Sequence, residues 1–273
     1  MSRHLPSDQA QGLRRLFAHS LVRFVPVVSN PYVTFGGLML ERLCAGFAER
    51  GVHTLVVDAS ERAAGPAEMA LLDLASCIEP LSARVSYLAA RGLPLKFVDA
   101  SGSTEGFLEA VSEASPASQV VLVHATPSDL CRLFARRARA DVGRPVCPLL
   151  LADDRPDSVT HAYAAMKLLA LRAGLKVHDL LLGAAAHSPR ADRIAVQLAV
   201  CADEFLGAVL RDWVRIDPAT DAADPSTPAL RRWVRERLQR GDGEAAAADA
   251  ETVELPAAHS TGTRFAASNW AFH

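Results

Sequence analysis

Residues 25–60 constrain this chain more than any other stretch. A β-branched run (Val25, Val27, Val28) leads into a loop. Behind it Leu40, Leu43, Cys44, Phe47 and Ala48 fall at helical spacing, and Gly51 is placed to end that helix. His53 to Val57 then reads as a second buried strand stopping at Asp58. A β–loop–α–β unit of this kind opens a parallel α/β domain. Its first loop lies against a helix N-terminus, where backbone amides favour a phosphate.

A loop that grips a triphosphate needs glycines for close backbone approach, a Lys for the β/γ-phosphates and a Ser/Thr for Mg²⁺. Here the place is right and the residues are wrong. The stretch resembles the deviant phosphate loop of the MinD/ParA ATPases, Lys-Gly-Gly-Val-Gly-Lys-Thr. Aligned back from Gly51 and Asp58, the first lysine falls on Pro31, the second on Gly36 and the Mg²⁺-binding Thr on Gly37. The family's Asp-x-Asp becomes Asp58-Ala59-Ser60, with a serine where the acid that positions water belongs. The resemblance implies a pseudo-ATPase: no catalytic residue in cis, and no cofactor, because ATP and Mg²⁺ have lost their ligands. The loop has no cation of its own to steady a transferred phosphoryl group.

A second motif precedes the first strand. Ser7-Asp8 form a helix N-cap, and Leu13, Leu16 and Phe17 share one face behind it. Such a helix can simply pack on the domain. The string Asp8-Gln9-Ala10-x-x-Leu13-Arg14, however, is similar position by position to the N-terminal helix of the FlhG family, MinD-like regulators of flagellar number and placement. There the helix docks on FlhF, a signal-recognition-type GTPase, and its Gln reaches the GTP site to stimulate hydrolysis. The resemblance implies FlhF as partner, with a flagellar transcriptional activator or a flagellar C-ring protein as further ones. It implies a cytoplasmic protein, peripheral at the cell-pole membrane at most.

Composition limits the alternatives. A net charge of -2 gives no bulk electrostatic case for nucleic acid. The five cysteines show no metal-ligand spacing and read as buried free thiols, and no metal site is expected. The first residues are polar and charged, so no secretory leader is expected, and no apolar run is long enough to span a bilayer.

Further expectations follow along the chain. Residues 61–91 are alanine-rich with helical period, broken at Pro80, and residues 93–98 read as a short strand. A turn at 99–102 enters a helix near 105–115. Residues 119–125 form a strand with His124 in the place of the family's Walker B Asp, satisfied by backbone. Residues 128–140 form a helix with a basic face (Arg132, Arg136, Arg137, Arg139), and 146–152 a strand ending at Asp153-Asp154. Residues 156–167 are similar to the family's Pro-x-Ser-x-Thr-Asp-Ala-Tyr-Ala-x-x-Lys, with His161 for Asp. The strand at 176–183 ends in Leu182-Gly183-Ala184, so the family's adenine-contacting pair is missing. A helix at 190–210 and a last strand at 213–217 follow.

This alternation predicts a doubly wound, mostly parallel sheet with helices on both faces. Pro26, inside the first strand, calls for a bulge or an unpaired residue. The expected organisation is an activating helix (1–20), a MinD-like α/β domain (21–240) and a linker with an aromatic tail (241–273). Within the domain, residues 227–240 form a basic amphipathic helix whose Leu230, Trp233, Val234 and Leu238 either bind a membrane or partner, weakly, or pack on the domain.

Overall fold

The structure, a computed structural model, describes residues 22–140, 146–221 and 224–250, without the side chains of 139, 140 and 240–250. The helix expected at 1–20, with Asp8, Gln9, Ala10, Leu13 and Arg14, and the tail beyond 250 lie outside the described residues. A boundary between two compact units falls between Arg235 and Glu236.

In the first unit eight strands form one sheet in the order β3-β4-β2-β5-β1-β6-β7-β8. They are β1 (Arg23–Val28), β2 (Thr54–Ala59), β3 (Glu79–Ser82), β4 (Val85–Ala89), β5 (Val120–Ala125), β6 (Leu149–Asp153), β7 (Val177–Gly183) and β8 (Val209–Ile216). Every neighbouring pair is parallel except β3 with β4. The helices are α1 (Gly36–Ala48), α2 (Gly106–Ala114), α3 (Pro127–Ala140), α4 (Pro156–Leu168), α5 (Pro189–Leu206) and α6 (Pro228–Ala250).

Successive residues of a strand point to opposite faces, and here both faces are buried. Val28, Leu55, Val57, Val121, Val123, Leu150, Leu180 and Leu182 join one cluster with Phe107, Phe134, Met166 and Leu198 from α2 to α5. Their alternates, Val25, Val27, Val56, Leu122, Leu149, Leu151 and Leu181, are equally buried on the other face. There the α1 ring of Phe47 meets the α6 ring of Trp233 edge-on, centroids 6.3 Å apart. At Gly46 of α1 an added Cβ would come within 3.2 Å of Val234 on α6. Gly51 takes a left-handed φ of +74°, which turns the chain from α1 into β2.

Several expectations are corrected. Residues 61–91 are not helical: two 3₁₀ turns (Glu68–Leu71, Ala75–Cys77) lead into the edge strand β3 and into β4. Of the residues at helical spacing, Met69 and Leu72 are exposed while Leu74 and Leu88 are buried, so the period marks no single continuous face. Residues Pro94–Phe97 form a 3₁₀ turn rather than a strand. Pro26 needs no bulge. It keeps register with Val123, and the alternate donors Arg23 and Ser29 bond to the β5 side, so its missing N–H faces β6, whose pairing begins only at Val27.

The helix read as ending at 240 continues to Ala250, through an alanine run of high helix propensity. Leu230, Trp233 and Val234 are buried at 1%, 2% and 0% exposure, which removes them as a membrane or partner face. Leu238, in the second unit, is half-buried. Cys44, Cys131 and Cys147 are buried free thiols, whereas Cys77 and Cys201 are only half-buried.

Candidate functional site

The chain moves outward from β1 to β2 and β4, returns to β5 beside β1, and then crosses to β6. Ligands of doubly wound sheets bind where the order reverses, outside the carboxyl ends of the strands. At that point lies a cleft of about 260 Å³ lined by Pro31, Gly36, Gly37, Asp58 and Ser60, all five residues singled out in the loop and strand. Its volume is just below the roughly 300–1,000 Å³ usual for small-molecule sites.

The loop is held by one of its own side chains and by one from the end of β6. Asn30, nearly buried, donates through Nδ2 to the carbonyls of Leu151 and Ser158, both at 2.9 Å, and accepts the Tyr32 N–H at 3.1 Å. Asp153 accepts the Thr34 N–H at 3.1 Å on one oxygen and the Arg155 N–H at 3.2 Å on the other. A carboxylate of the chain thus takes a loop amide that a phosphate oxygen would otherwise use. His161, the residue in place of the family's Asp, sits 3.3 Å from the Ser29 carbonyl and tilts against Tyr32, centroids 5.7 Å apart.

Two cations reach the loop from outside it. The Arg62 guanidinium donates to the Pro31 carbonyl, and Arg155 Nη1 donates to the Thr34 hydroxyl at 2.9 Å. The first turn of α1 has neither a side-chain cap nor an acidic residue. A Cβ at Gly37 would meet nothing within 4 Å, and one at Gly36 only Val33 at 3.8 Å. A Cβ would fit at both positions, so crowding at that atom does not account for the glycines.

Beside the loop, His124 is not satisfied by backbone as expected. Asp58 and His124 are register partners across β2 and β5, and His124 Nδ1 lies 2.9 Å from Asp58 Oδ1. Burial pushes the Asp58 carboxyl upward, but His124 and the Ser60 contacts outweigh it and hold it below the ordinary carboxylate range. Both residues line the cleft, and the carboxylate fixes the orientation of the imidazole. Sequence reasoning missed Asn30, Arg62, Asp153 and this pairing. The Asn-Pro dipeptide at 30–31 was the one local signal, since it favours turn initiation.

No protein-family model matches the sequence, and no curated protein matches it. Solved structures do. Cobyrinic acid a,c-diamide synthase from Mycobacterium smegmatis, with bound ATP analog and magnesium, overlays with a TM-score of 0.56 at 12% identity, covering 80% of this chain and 94% of that one. A second structure of that synthase gives 0.52 at 13% identity, with the same coverage of 80% and 94%. The fold shared with these synthase structures is the mostly parallel sheet flanked by helices. MinD of Aquifex aeolicus aligns more loosely, at a TM-score of 0.45 and 12% identity over 86% of this chain and 100% of that one. At such identities the likeness is one of fold.

On that fold the residues present do not fit Mg-ATP. Against the phosphate loop that the sequence resembles, glycine stands where the lysine and the metal-binding threonine would be and Ser60 where the water-positioning acid would be, and in the structure Asp153 already accepts the Thr34 amide. Among the described residues no group of three or more His, Cys, Asp or Glu is placed to hold a metal ion. No helix among them is long and apolar enough to cross a membrane.

Proposed function

We propose that this chain is an FlhG-like regulator of flagellar number and placement, binding the GTPase FlhF and stimulating its GTP hydrolysis through the segment of residues 1–20. The observation that supports the reading is the string Asp8-Gln9-Ala10-x-x-Leu13-Arg14 directly ahead of a MinD-like domain whose phosphate loop is braced by its own side chains. A carboxamide delivered in trans orients an attacking water or steadies transition-state charge, the role of a glutamine in GTPase sites. Gln9 has that chemistry. The α/β domain then acts as a binding body in the cytoplasm, and the pole membrane is reached through FlhF rather than through Trp233 and its buried neighbours.

The full-length chain is expected to accelerate GTP hydrolysis by FlhF. Gln9→Ala should lower the stimulated rate on the order of 10²-fold, the size of one positioned catalytic group, with an unchanged melting temperature. Equal stimulation by the variant discards the role of Gln9.

Arg62 and Arg155 favour a second reading, an active ATPase that dimerises on nucleotide, because they bring the loop the cations its own sequence lacks. Calorimetry with Mg-ATP separates the two. The pseudo-ATPase gives no saturable heat at micromolar nucleotide. Micromolar binding with turnover replaces it by the active enzyme.

A further inference from the structure

One basic cleft among the described residues takes no part in that reading. Arg132 and Arg136 project from α3 into a cleft of about 550 Å³. Its other walls are the Ser101–Ser103 turn, Ser128, and Arg172. Arg137, on the same helix, points away, donating to Glu105 at 3.0 Å and lying 4.9 Å over the Phe24 ring. The basic face of α3 therefore divides, and only part of it lines the cleft.

Three separate segments bring the guanidinium groups together. Arg172 sits in a π-helical turn, Leu169–Ala173, closed by Gly174 at a left-handed φ of +71°. Wide turns of this kind recur at functional sites. Arg136 is held by the turn at 99–103, with Nη2 donating to Ser101 Oγ at 2.8 Å and Nη1 3.2 Å from Asp99. That turn is itself fixed, since Asp99 Oδ1 accepts the N–H groups of Ser101 and Ser103 at 2.8 and 3.0 Å. Arg132 is held 3.2 Å from Asp129. Among the described residues Arg172 pairs with no carboxylate. Burial pushes the Cys131 thiol up to about 11, while Arg172 and Arg132 pull it the other way, so their field reaches the cleft wall.

We propose that this cleft binds a phosphorylated small molecule, its phosphate monoester bridging Arg132, Arg136 and Arg172 and its body resting on Ala135 and Cys131. Asp129 and Asp99 each offset one of the three cations, so a monoanion gains little there. A phosphate monoester carries a charge of roughly -1.5 to -2 near neutrality and three acceptor oxygens. Planar guanidinium forks match those oxygens with two parallel donors each. The volume lies inside the usual range for a small ligand, and the serine hydroxyls add neutral donors. The site is separate from the cleft at the ends of β1, β2 and β5, and it does not depend on how FlhF is engaged.

The test is calorimetry of the full-length chain with inorganic phosphate, ribose 5-phosphate and adenosine 5′-monophosphate, each at low and high salt. Adenosine and ribose serve as phosphate-free controls. At least one phosphorylated probe is expected to bind with a Kd on the order of 1 mM or tighter, more weakly as salt rises. Arg136→Gln and Arg172→Gln should each weaken it about 10- to 100-fold, the worth of a charged hydrogen bond. Arg50→Gln, an exposed arginine elsewhere, should leave it unchanged. Tightest binding of the free ion assigns the cleft to phosphate itself, and tighter binding of an ester assigns it to that class. No saturable binding of any probe, or binding indifferent to Arg136 and Arg172, overturns the proposal.

Discussion

Trp233→Ala is expected to destabilise the protein by about 3–5 kcal/mol, the range for truncating a large buried aromatic. The indole is 2% exposed, meets Phe47 edge-on, and donates Nε1–H to Asp179 Oδ2 at 2.9 Å. Asp179 is itself fully buried, and its carboxylate also receives Arg211 Nε at 3.0 Å together with Arg211 Nη2. Deleting the indole leaves a cavity between α1 and α6 and removes one neutral donor from a buried anion. Trp233→Phe keeps most of the volume and loses only the donor, so its cost should fall near 1–3 kcal/mol, the penalty for an under-satisfied buried acceptor. For a domain of this size each kcal/mol moves the melting temperature by about 2–4 °C, and the alanine variant should melt on the order of 10 °C lower. Thermal unfolding of both variants decides the point. An amphipathic face waiting for a membrane predicts no loss for either, and unchanged melting would restore that assignment.

This helix also shows where sequence reading stops. Leu230, Trp233 and Val234 have the spacing of an amphipathic helix, and spacing alone is the same for a helix that packs and one that adsorbs. The deciding group, Asp179, lies 54 residues away on β7. The opening unit was legible because its signals are local: a β-branched run, a 3.6-residue period and Gly51 with its left-handed φ. Residues 61–91 were misread because Met69 and Leu72 satisfy a helical period while standing in solvent.

The cleft divides the same way. Pro31, Gly36, Gly37, Asp58 and Ser60 could be placed by counting from Gly51, since they belong to one β–α–β unit. The pairing of Asp58 with His124 depends on β5 lying between β1 and β2, and no run of residues announces that insertion. The grip of Asp153 on the Thr34 amide spans 119 residues. Together these contacts change the meaning of the loop. Asn30 of the loop itself, Asp153 at the end of β6, and Arg62 and Arg155 from the segments after β2 and β6 hold it in one shape.

Between pH 7 and pH 5 the protein is expected to lose about 2 kcal/mol of stability through one residue, His178. Its side chain is fully buried on the face of β7 opposite Asp179, and among the described residues neither ring nitrogen has a well-formed hydrogen bond. Burial pushes its imidazole down to about 4, against weaker upward pulls from Asp179 and the Leu175 main chain. In the unfolded chain an imidazole titrates near 6.5. Above that value both states are neutral and the residue is neutral toward folding. As pH falls below it the unfolded state takes the proton and the folded state does not, so stability declines until about pH 4, by about 1.4 kcal/mol per pH unit. Asp58 and Glu49, whose carboxyls are held low, lose their contributions only at more acidic pH. Urea midpoints for the wild type should therefore drop between pH 7 and 5. His178→Leu, which carries no titrating group into the core, should show a flat profile over the same interval. A wild-type profile as flat as the variant's would mean that the imidazole takes up its proton without unfolding, and that the core around β7 opens to water more readily than its burial indicates.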